Sequence, residues 1–290
     1  MFPRLRRSML ITPGNRLERI AKAASLAADC IVLDIEDGVV PVQKPAARRT
    51  IAEALATLDF GGREKLVRIN AVGTAEHAAD LEALDVEAVD ALFIPKIESG
   101  DQLRTLSRWL DTAEAGLTRH RPVEIVATIE TPRGLLRALE IADASPRTTA
   151  LFFGSGDYTA ATGSAVTERA LAMPRALIVA AAAAAGISAI DAAEFGDVKN
   201  PDAARADALI ARELGFSGKL VFHPNQIAPV NSVFTPNDAE VARAERIVEA
   251  YRAAQIAGQG TAVVDGVFIA IDILRMAERV LARAKLSDLA

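Results

Sequence analysis

Short apolar, β-branched runs alternate with stretches of helical period from the first ten residues to about residue 222, and this alternation limits the possible folds more than any other feature. The strand-like runs fall at 8–12, 30–34, 65–69, 91–94, 123–129, 150–153, 187–190 and 219–222. Between them, polar-capped helical patterns cover 15–27, 43–57, 100–114, 132–142, 168–185 and 202–214. Strict strand–helix alternation requires a parallel sheet with helices on its faces. Eight such units within about 220 residues fit a closed barrel better than an open sheet. The expected fold is therefore α/β, a (β/α)8 TIM barrel over residues 1–235 that carries the active site. Residues 236–290 are extra to a barrel and read as a helical extension. Pro236-Asn237-Asp238 starts a helix over 239–257, Gly258-Gln259-Gly260 ends it, and an apolar stretch at Val263-Val264 with a turn at Asp265-Gly266 precedes a last helix over 271–285. Being apolar on one face, this tail is expected to pack on the barrel or on a neighbouring subunit.

Composition narrows the function. With 51% hydrophobic residues in a chain of 290, a large core is available. No run of eighteen apolar residues occurs, and the densest segment, 176–187, is short and Ala-rich, so no membrane span is expected. The N-terminus lacks the apolar stretch and small-residue cleavage site of a secretory signal, and the expected location is cytoplasmic. The single cysteine, Cys30, sits in an apolar strand and reads as core. A net charge of −5 with 4% aromatics offers no footprint for nucleic acid.

In a parallel barrel the C-terminal strand ends and the loops after them build the site. Here those ends read Leu33-Asp34-Ile35-Glu36-Asp37-Gly38, Arg68-Ile69-Asn70, Ile94-Pro95-Lys96-Ile97-Glu98, Ile129-Glu130-Thr131 and Phe153-Gly154-Ser155-Gly156-Asp157-Tyr158. The carboxylates of Asp34, Glu36, Asp37, Glu130 and Asp157, converging on one rim, would repel one another unless a cation neutralises them. Any one of them alone could be a helix cap. Glu130 and Asp157 together, each beside small residues, are read as ligands of a hard dication. Oxygen ligands without cysteine pairs or histidine spacing point to Mg2+ rather than zinc. Glu36 and Asp37 are read as holding metal-bound waters, and with Arg68 they form the expected catalytic set. Arg68 is read as gripping a substrate carboxylate with its planar fork, the alternative being a pairing with the nearby acids. Gly154 and Ser155 join Arg68, Glu130 and Asp157 in the expected substrate-binding set, since Gly154-Ser155-Gly156 forms a loop similar to a phosphate cradle. A Schiff base on Lys96 is disfavoured by so many neighbouring carboxylates, which leaves metal-assisted enolate chemistry. His77 and His120 read as solvated, and His223, at the end of the eighth strand, as a structural hydrogen-bonding residue.

These residues form an ordered series: Arg6-Arg7-Ser8-Met9-Leu10-Ile11-Thr12-Pro13-Gly14, the Leu33-to-Gly38 run with Lys44 and Ala47-Arg48, Arg68-Ile69-Asn70, Pro95-Lys96, Ile129-Glu130-Thr131, Gly154-Ser155-Gly156-Asp157-Tyr158 and Gly218-Lys219-Leu220-Val221-Phe222-His223-Pro224-Asn225-Gln226-Ile227. The series resembles the citrate lyase β-subunit-like branch of the HpcH/HpaI aldolase family over nearly the whole chain. The resemblance implies a barrel, a homotrimer or hexamer, Mg2+ on Glu130 and Asp157, and substrate on Arg68. It also implies cleavage of malyl-, citramalyl- or citryl-type thioesters to acetyl-CoA, or its acyl-carrier equivalent, and a 2-oxo acid. The expected activity is thus that of a Mg2+-dependent carbon–carbon lyase acting on a 3-hydroxyacyl-CoA.

One position departs from the pattern. Where relatives carry Asp-Gly-Lys-Met-Ile-Asp-x-Pro, with the second Asp serving as acid or base in a neighbouring subunit's site, this chain reads Asp265-Gly266-Val267-Phe268-Ile269-Ala270-Ile271-Asp272. The register, supported by Ala277, puts Ala270 at the catalytic position. Asp272 lies two residues on and points elsewhere, by about 200° in a helix or 180° in a strand. This keeps open three readings: a hydroxyacyl-CoA lyase, a citrate lyase β subunit or acyl-CoA thioester hydrolase, and a non-catalytic acyl-CoA-binding partner subunit.

Overall fold

A computed structural model describes residues 4–118 and 121–287 of the chain. His120 lies outside the described residues. All eight expected barrel strands form: β1 (Ser8–Pro13), β2 (Cys30–Asp34), β3 (Glu64–Arg68), β4 (Ala91–Ile94), β5 (Glu124–Ile129), β6 (Thr148–Phe153), β7 (Ser188–Asp191) and β8 (Gly218–Val221). They pair in chain order, each parallel to the next, and β8 closes on β1 through Ser8 opposite Lys219. The result is the (β/α)8 TIM barrel expected from the alternation.

The helices follow as α1 (Leu17–Ala24), α2 (Lys44–Thr57), α3 (Ala75–Ala83), α4 (Gly100–Ala113), α5 (Pro132–Leu136), α6 (Ala138–Ala142), α7 (Ser155–Thr162), α8 (Glu168–Ala184), α9 (Pro201–Leu214), α10 (Pro224–Phe234) and α11 (Asp238–Ile256). The helix expected over 132–142 breaks at Arg137, whose φ of −116° and ψ of 15° leave the helical region. Helix α3 escaped the apolar-period reading because its one buried residue is Asp80, a carboxylate. Helix α7 corrects another expectation: Gly154-Ser155-Gly156 is not a loop but a helix start, with Gly154 at the N-cap and Ser155 the first helical residue.

The alternation of side chains along a strand sets what fills the barrel. Cys30 and Val32, Leu66, Ala91 and Phe93, Val126, Ala150 and Phe152, Ile190 and Leu220 share one buried interior cluster, in which the Phe93 and Phe152 rings lie 5.0 Å apart. Carrying the same parity toward the N-terminal strand ends brings Glu64 and Glu124 to the barrel floor. There Arg6 binds both, at 2.6–2.7 Å from Glu64 and 2.6 Å from Glu124, and donates to Thr149 at 2.8 Å. Cys30 donates to Glu64 at 3.2 Å, and burial raises its thiol pKa well above the ordinary value, so it is a floor residue and not a nucleophile.

The opposite parity faces the helices. Asp191 and Lys219, paired in register across β7 and β8, meet Arg175 of α8 and Asp207 of α9 in a buried, charge-balanced quartet: Lys219 lies 2.5 Å from Asp191 and 2.8 Å from Asp207, and Arg175 lies 3.0 Å from Asp191.

The chain divides into two compact units, the barrel unit Arg6–Asn231 and a second that joins the residues before Arg6 to the chain from Ser232 on. In the second, Ala244, Ile247, Val248 and Tyr251 of α11 pack with Ile269, Leu274 and Ala277. The last two belong to the final helix, α12 (Ile271–Ser287), and Ile269 to a hairpin of β9 (Ala262–Val264) and β10 (Val267–Ile269). Part of the apolar stripe read from the tail is thus covered within its own unit, while Ile256, Val263, Phe268 and Met276 stay exposed. Asp265 and Gly266, at φ 50° and 76°, make the left-handed turn that a two-residue hairpin requires. No helix among the described residues is long and apolar enough to cross a membrane.

Candidate active site

The inward parity that places Cys30, Val32, Leu66 and Val126 in the core continues to Asp34, Arg68 and Glu130 at the C-terminal strand ends. Asp34 and Arg68 are register partners on β2 and β3. Their side chains meet in a two-pronged ion pair, Nε to Oδ1 and Nη2 to Oδ2, each 2.7 Å. Arg68 Nη1 lies 3.3 Å from Glu36, and Lys96 Nζ lies 2.5 Å from the other oxygen of Glu36 and 3.4 Å from Asp37. The expected grip of Arg68 on a substrate carboxylate therefore meets a restriction: the Nε edge of the guanidinium is engaged by Asp34, and a ligand must share the outer edge, toward Nη1, with Glu36. Burial opposes the Lys96 ammonium, but the hydrogen bond and charge of Glu36, then Asp37 and Glu130, outweigh it and hold its pKa above the ordinary value. A lysine held protonated in this way is no Schiff-base nucleophile.

Glu130 is buried and is fixed from two sides. Lys96 adopts a left-handed backbone, φ 54°, which directs its N–H to Glu130 Oε1 at 2.8 Å. A non-glycine residue there costs on the order of 1 kcal/mol, as is common where backbone strain serves a site. From the other side, Gly154 packs flat on Glu130, where an added Cβ would come within 2.5 Å of Oε2 and 2.6 Å of the glutamate Cβ. Only glycine fits. Thr131 caps α5 by accepting the Gly134 N–H at 3.0 Å, while α7 begins one residue after Gly154 and carries Asp157 in its first turn.

The Glu130 carboxyl titrates far from its ordinary value of 4.5. Burial, then the charge of Asp157, then that of Glu36 push it up to about 8, against the Lys96 N–H. Three acids thus act on one another at the mouth, and Glu36 already has Arg68 and Lys96 as counter-ions. Among the described residues no cluster of three or more Asp, Glu, His or Cys side chains is arranged to hold a metal. The available set is the Glu130 and Asp157 pair, all oxygen, with a repulsion that the Lys96 N–H and charge offset only in part. That suits Mg2+, which typically takes one or two carboxylates and keeps its waters.

Metal binding should then be linked to protons. Because Mg2+ needs the carboxylate, its affinity is expected to rise about tenfold per pH unit up to about pH 8 and to level off above it. Near pH 7 about one proton should leave per ion bound. In the metal-free protein the raised value favours folding at low pH, a contribution lost as pH rises from 4.5 through about 8. Calorimetry in buffers of different ionisation enthalpy tests this, and a proton count near zero with flat affinity would refute it.

Of the other residues read from the sequence, Glu36 is buried while the Asp37 side chain is 62% exposed. Ser155 is buried at the α7 start, and Asp157 is exposed in its first turn. Asn70 does not join the mouth: it accepts from Lys44 and donates through both its backbone and side-chain nitrogens to Asp80, at 2.7 and 2.6 Å. His77 is half-buried, with Nδ1 3.0 Å from the Asn70 carbonyl, which corrects its reading as solvated. His223 fits its structural reading, accepting from the Asn225 N–H at 3.2 Å and donating its own N–H to Gln226. The backbone role of Lys96 had no signature in the sequence, since nothing in Pro95-Lys96 announces a left-handed turn.

A closed parallel barrel with several acids, a half-buried arginine and two helix starts at its C-terminal mouth is the architecture of a barrel enzyme with its site at that mouth. The chain belongs to the HpcH/HpaI aldolase/citrate lyase family, whose sequence profile matches residues 7–224. It is 36% identical over 281 residues to the (3S)-malyl-CoA thioesterase of Cereibacter sphaeroides (strain KD131 / KCTC 12085), covering 96% of this chain and 94% of that one. It is 35% identical over 306 residues to the L-malyl-CoA/beta-methylmalyl-CoA lyase of Rhodobacter capsulatus, covering 98% and 96%. Among solved structures, CitE from Mycobacterium tuberculosis in complex with magnesium, acetoacetate and coenzyme A superposes with a TM-score of 0.77 at 34% identity, over 96% of this chain and 97% of that one.

Proposed function

We propose that this protein is a Mg2+-dependent carbon–carbon lyase that cleaves a 3-hydroxyacyl-CoA of the malyl or citramalyl type to acetyl-CoA and a 2-oxo acid. The observation that supports the reading is the Glu130 carboxyl, buried at the end of β5 and pushed up to about 8 by that burial and by the charges of Asp157 and Glu36. Glu130 and Asp157 would hold the metal. When bound, Mg2+ supplies Lewis-acid polarisation of the substrate oxygens and a counter-charge for the enolate that carbon–carbon cleavage leaves behind.

The protein's own groups do the rest. Arg68, held protonated well above its ordinary range by Asp34 and Glu36 despite burial, offers a permanent positive charge to the carboxylate of the departing 2-oxo acid. Lys96 and Arg68 hold Glu36 at the mouth, where its carboxylate can accept hydrogen bonds from water. Asp37, exposed beside it, can do the same.

A second reading, thioester hydrolysis or ligand binding without turnover, is favoured by Ala270. This residue leads into α12 with its carbonyl accepting the Leu274 N–H at 3.1 Å, and it brings no ionisable side chain where the family pattern has an aspartate. Asp272 is exposed in the first turn of α12, where a carboxylate stabilises a helix start.

One assay separates the readings. Protein incubated with Mg2+ and malyl-CoA or citramalyl-CoA is expected to release glyoxylate or pyruvate together with acetyl-CoA, and to stop when EDTA is added. Free CoA thiol with the acyl skeleton intact would instead mark a hydrolase. Retained ligand binding with no product would mark a binding subunit, and either outcome replaces the lyase reading.

A further inference from the structure

We propose that Asp34 is a positioning residue: it sets the orientation in which Arg68 meets the substrate and ties the acidic loop after β2 to that orientation. The inference rests on the reading of Arg68 as the group that binds the 2-oxo acid carboxylate.

A carboxylate offers about four acceptor positions. Asp34, only 2% exposed, has all four filled. Oδ1 accepts from Arg68 Nε at 2.7 Å and from the Glu36 backbone N–H at 2.9 Å; Oδ2 accepts from Arg68 Nη2 at 2.7 Å and from the Gly38 N–H at 2.8 Å. Each oxygen thus takes one guanidinium and one backbone donor. A saturated carboxylate has no lone pair left for a metal ion or a substrate, which removes Asp34 from the acids competing for the cation. What it can do is fix geometry, and two further observations show how firmly. The cross-strand register places Asp34 opposite Arg68, so the pair spans neighbouring strands of the rigid barrel. On the loop side there is no slack, since a Cβ on Gly38 would fall 2.2 Å from Oδ2.

The consequence is directional. With the Nε edge of the guanidinium turned to Asp34, a ligand is left the outer nitrogens Nη1 and Nη2, and it shares Nη1 with Glu36. Through its own N–H, Glu36 is held in the same frame, 3.3 Å from Arg68 Nη1 and 2.5 Å from Lys96. One buried aspartate therefore coordinates the substrate-facing arginine and the loop that flanks the metal ligands.

The test is a double-mutant cycle with Asp34→Asn, Arg68→Ala and the combination, read by the binding of pyruvate or glyoxylate in the presence of Mg2+ and by kcat/KM for thioester cleavage. Asparagine keeps the size but turns one acceptor into a donor that faces N–H groups, and it is expected to weaken oxo-acid binding about tenfold, in line with losing hydrogen bonds to a charged group. Because Asp34 acts through Arg68, the same change made on Arg68→Ala should add at most about a twofold further loss. Mg2+ affinity should stay near wild type, which a general disturbance of the mouth would not allow.

Gly38→Ala provides a second probe, crowding Oδ2 from the loop side with the carboxylate chemistry intact. It should show the same non-multiplicative pattern, and it takes the place of Asp34→Asn if that variant fails to fold. Penalties that multiply, an Asp34→Asn protein that binds like wild type, or a loss of Mg2+ affinity matching the loss of oxo-acid binding would each overturn the inference. An Arg68→Ala protein with unchanged oxo-acid binding would instead overturn the underlying reading of Arg68.

Discussion

Replacing Glu130 by glutamine is expected to weaken Mg2+ binding by about a hundredfold or more and to lower thioester cleavage by about a thousandfold, while leaving the metal-free protein as stable as wild type or more so. The two halves of this expectation have one cause. In the absence of metal, the ionised Glu130 is buried between the Asp157 and Glu36 charges, which is why its pKa stands near 8. Glutamine keeps an oxygen to accept the Lys96 N–H and keeps the shape that Gly154 packs against, but it removes the repelled charge. At pH 8 and above the metal-free variant should therefore melt at or above the wild-type temperature, and at pH 5, where the wild-type group is protonated, the two should converge. Thermal melts with EDTA, paired with Mg2+ calorimetry and a product assay, check both halves. Wild-type cleavage by Glu130→Gln would end the metal assignment, and a large drop in metal-free stability would show that the residue holds the fold rather than an ion.

The second large effect lies at the opposite end of the barrel. Arg6→Met is expected to destabilise the protein by about 3–5 kcal/mol, the usual consequence of removing one partner from a buried ionic cluster. Arg6, almost wholly buried, is bound by Glu64 and Glu124 at 2.6–2.7 Å on two non-adjacent strands, with Thr149 accepting a further N–H. Without the guanidinium, two glutamates are left close together at the barrel floor. Protonation can relieve them, so the loss should shrink as the pH falls toward 5. Urea unfolding at pH 8 and pH 5 measures this, and a midpoint near wild type at both values would show that the cluster contributes little. Kinetic constants of the folded variant should change little, because the floor and the mouth are separated by the apolar interior around Phe93 and Phe152.

The sequence alone determined the barrel, because alternation of strand and helix, repeated eight times, admits few closed arrangements. It also determined which residues reach the mouth, since strand parity carries from Val32 to Asp34, from Leu66 to Arg68 and from Val126 to Glu130 without any tertiary information. The acidic character of the rim and its oxygen-only donor set were legible for the same reason: residue type and strand end are local properties.

The tertiary structure decided which charges partner which. Asp34 looked like one acid among five and proved to be saturated by Arg68 and two backbone N–H groups, a fact that depends on the register between two strands 34 residues apart in sequence. Lys96 had no assigned role until its left-handed backbone placed its N–H on Glu130. Gly154 read as part of a loop similar to a phosphate cradle and turned out to be a helix cap lying against a metal-ligand candidate. Hydrogen bonds and ion pairs act over about 3 Å, so they are fixed by distances between chain segments remote in sequence. Periodicity can place a residue on a strand end, but only the folded barrel determines what stands opposite it.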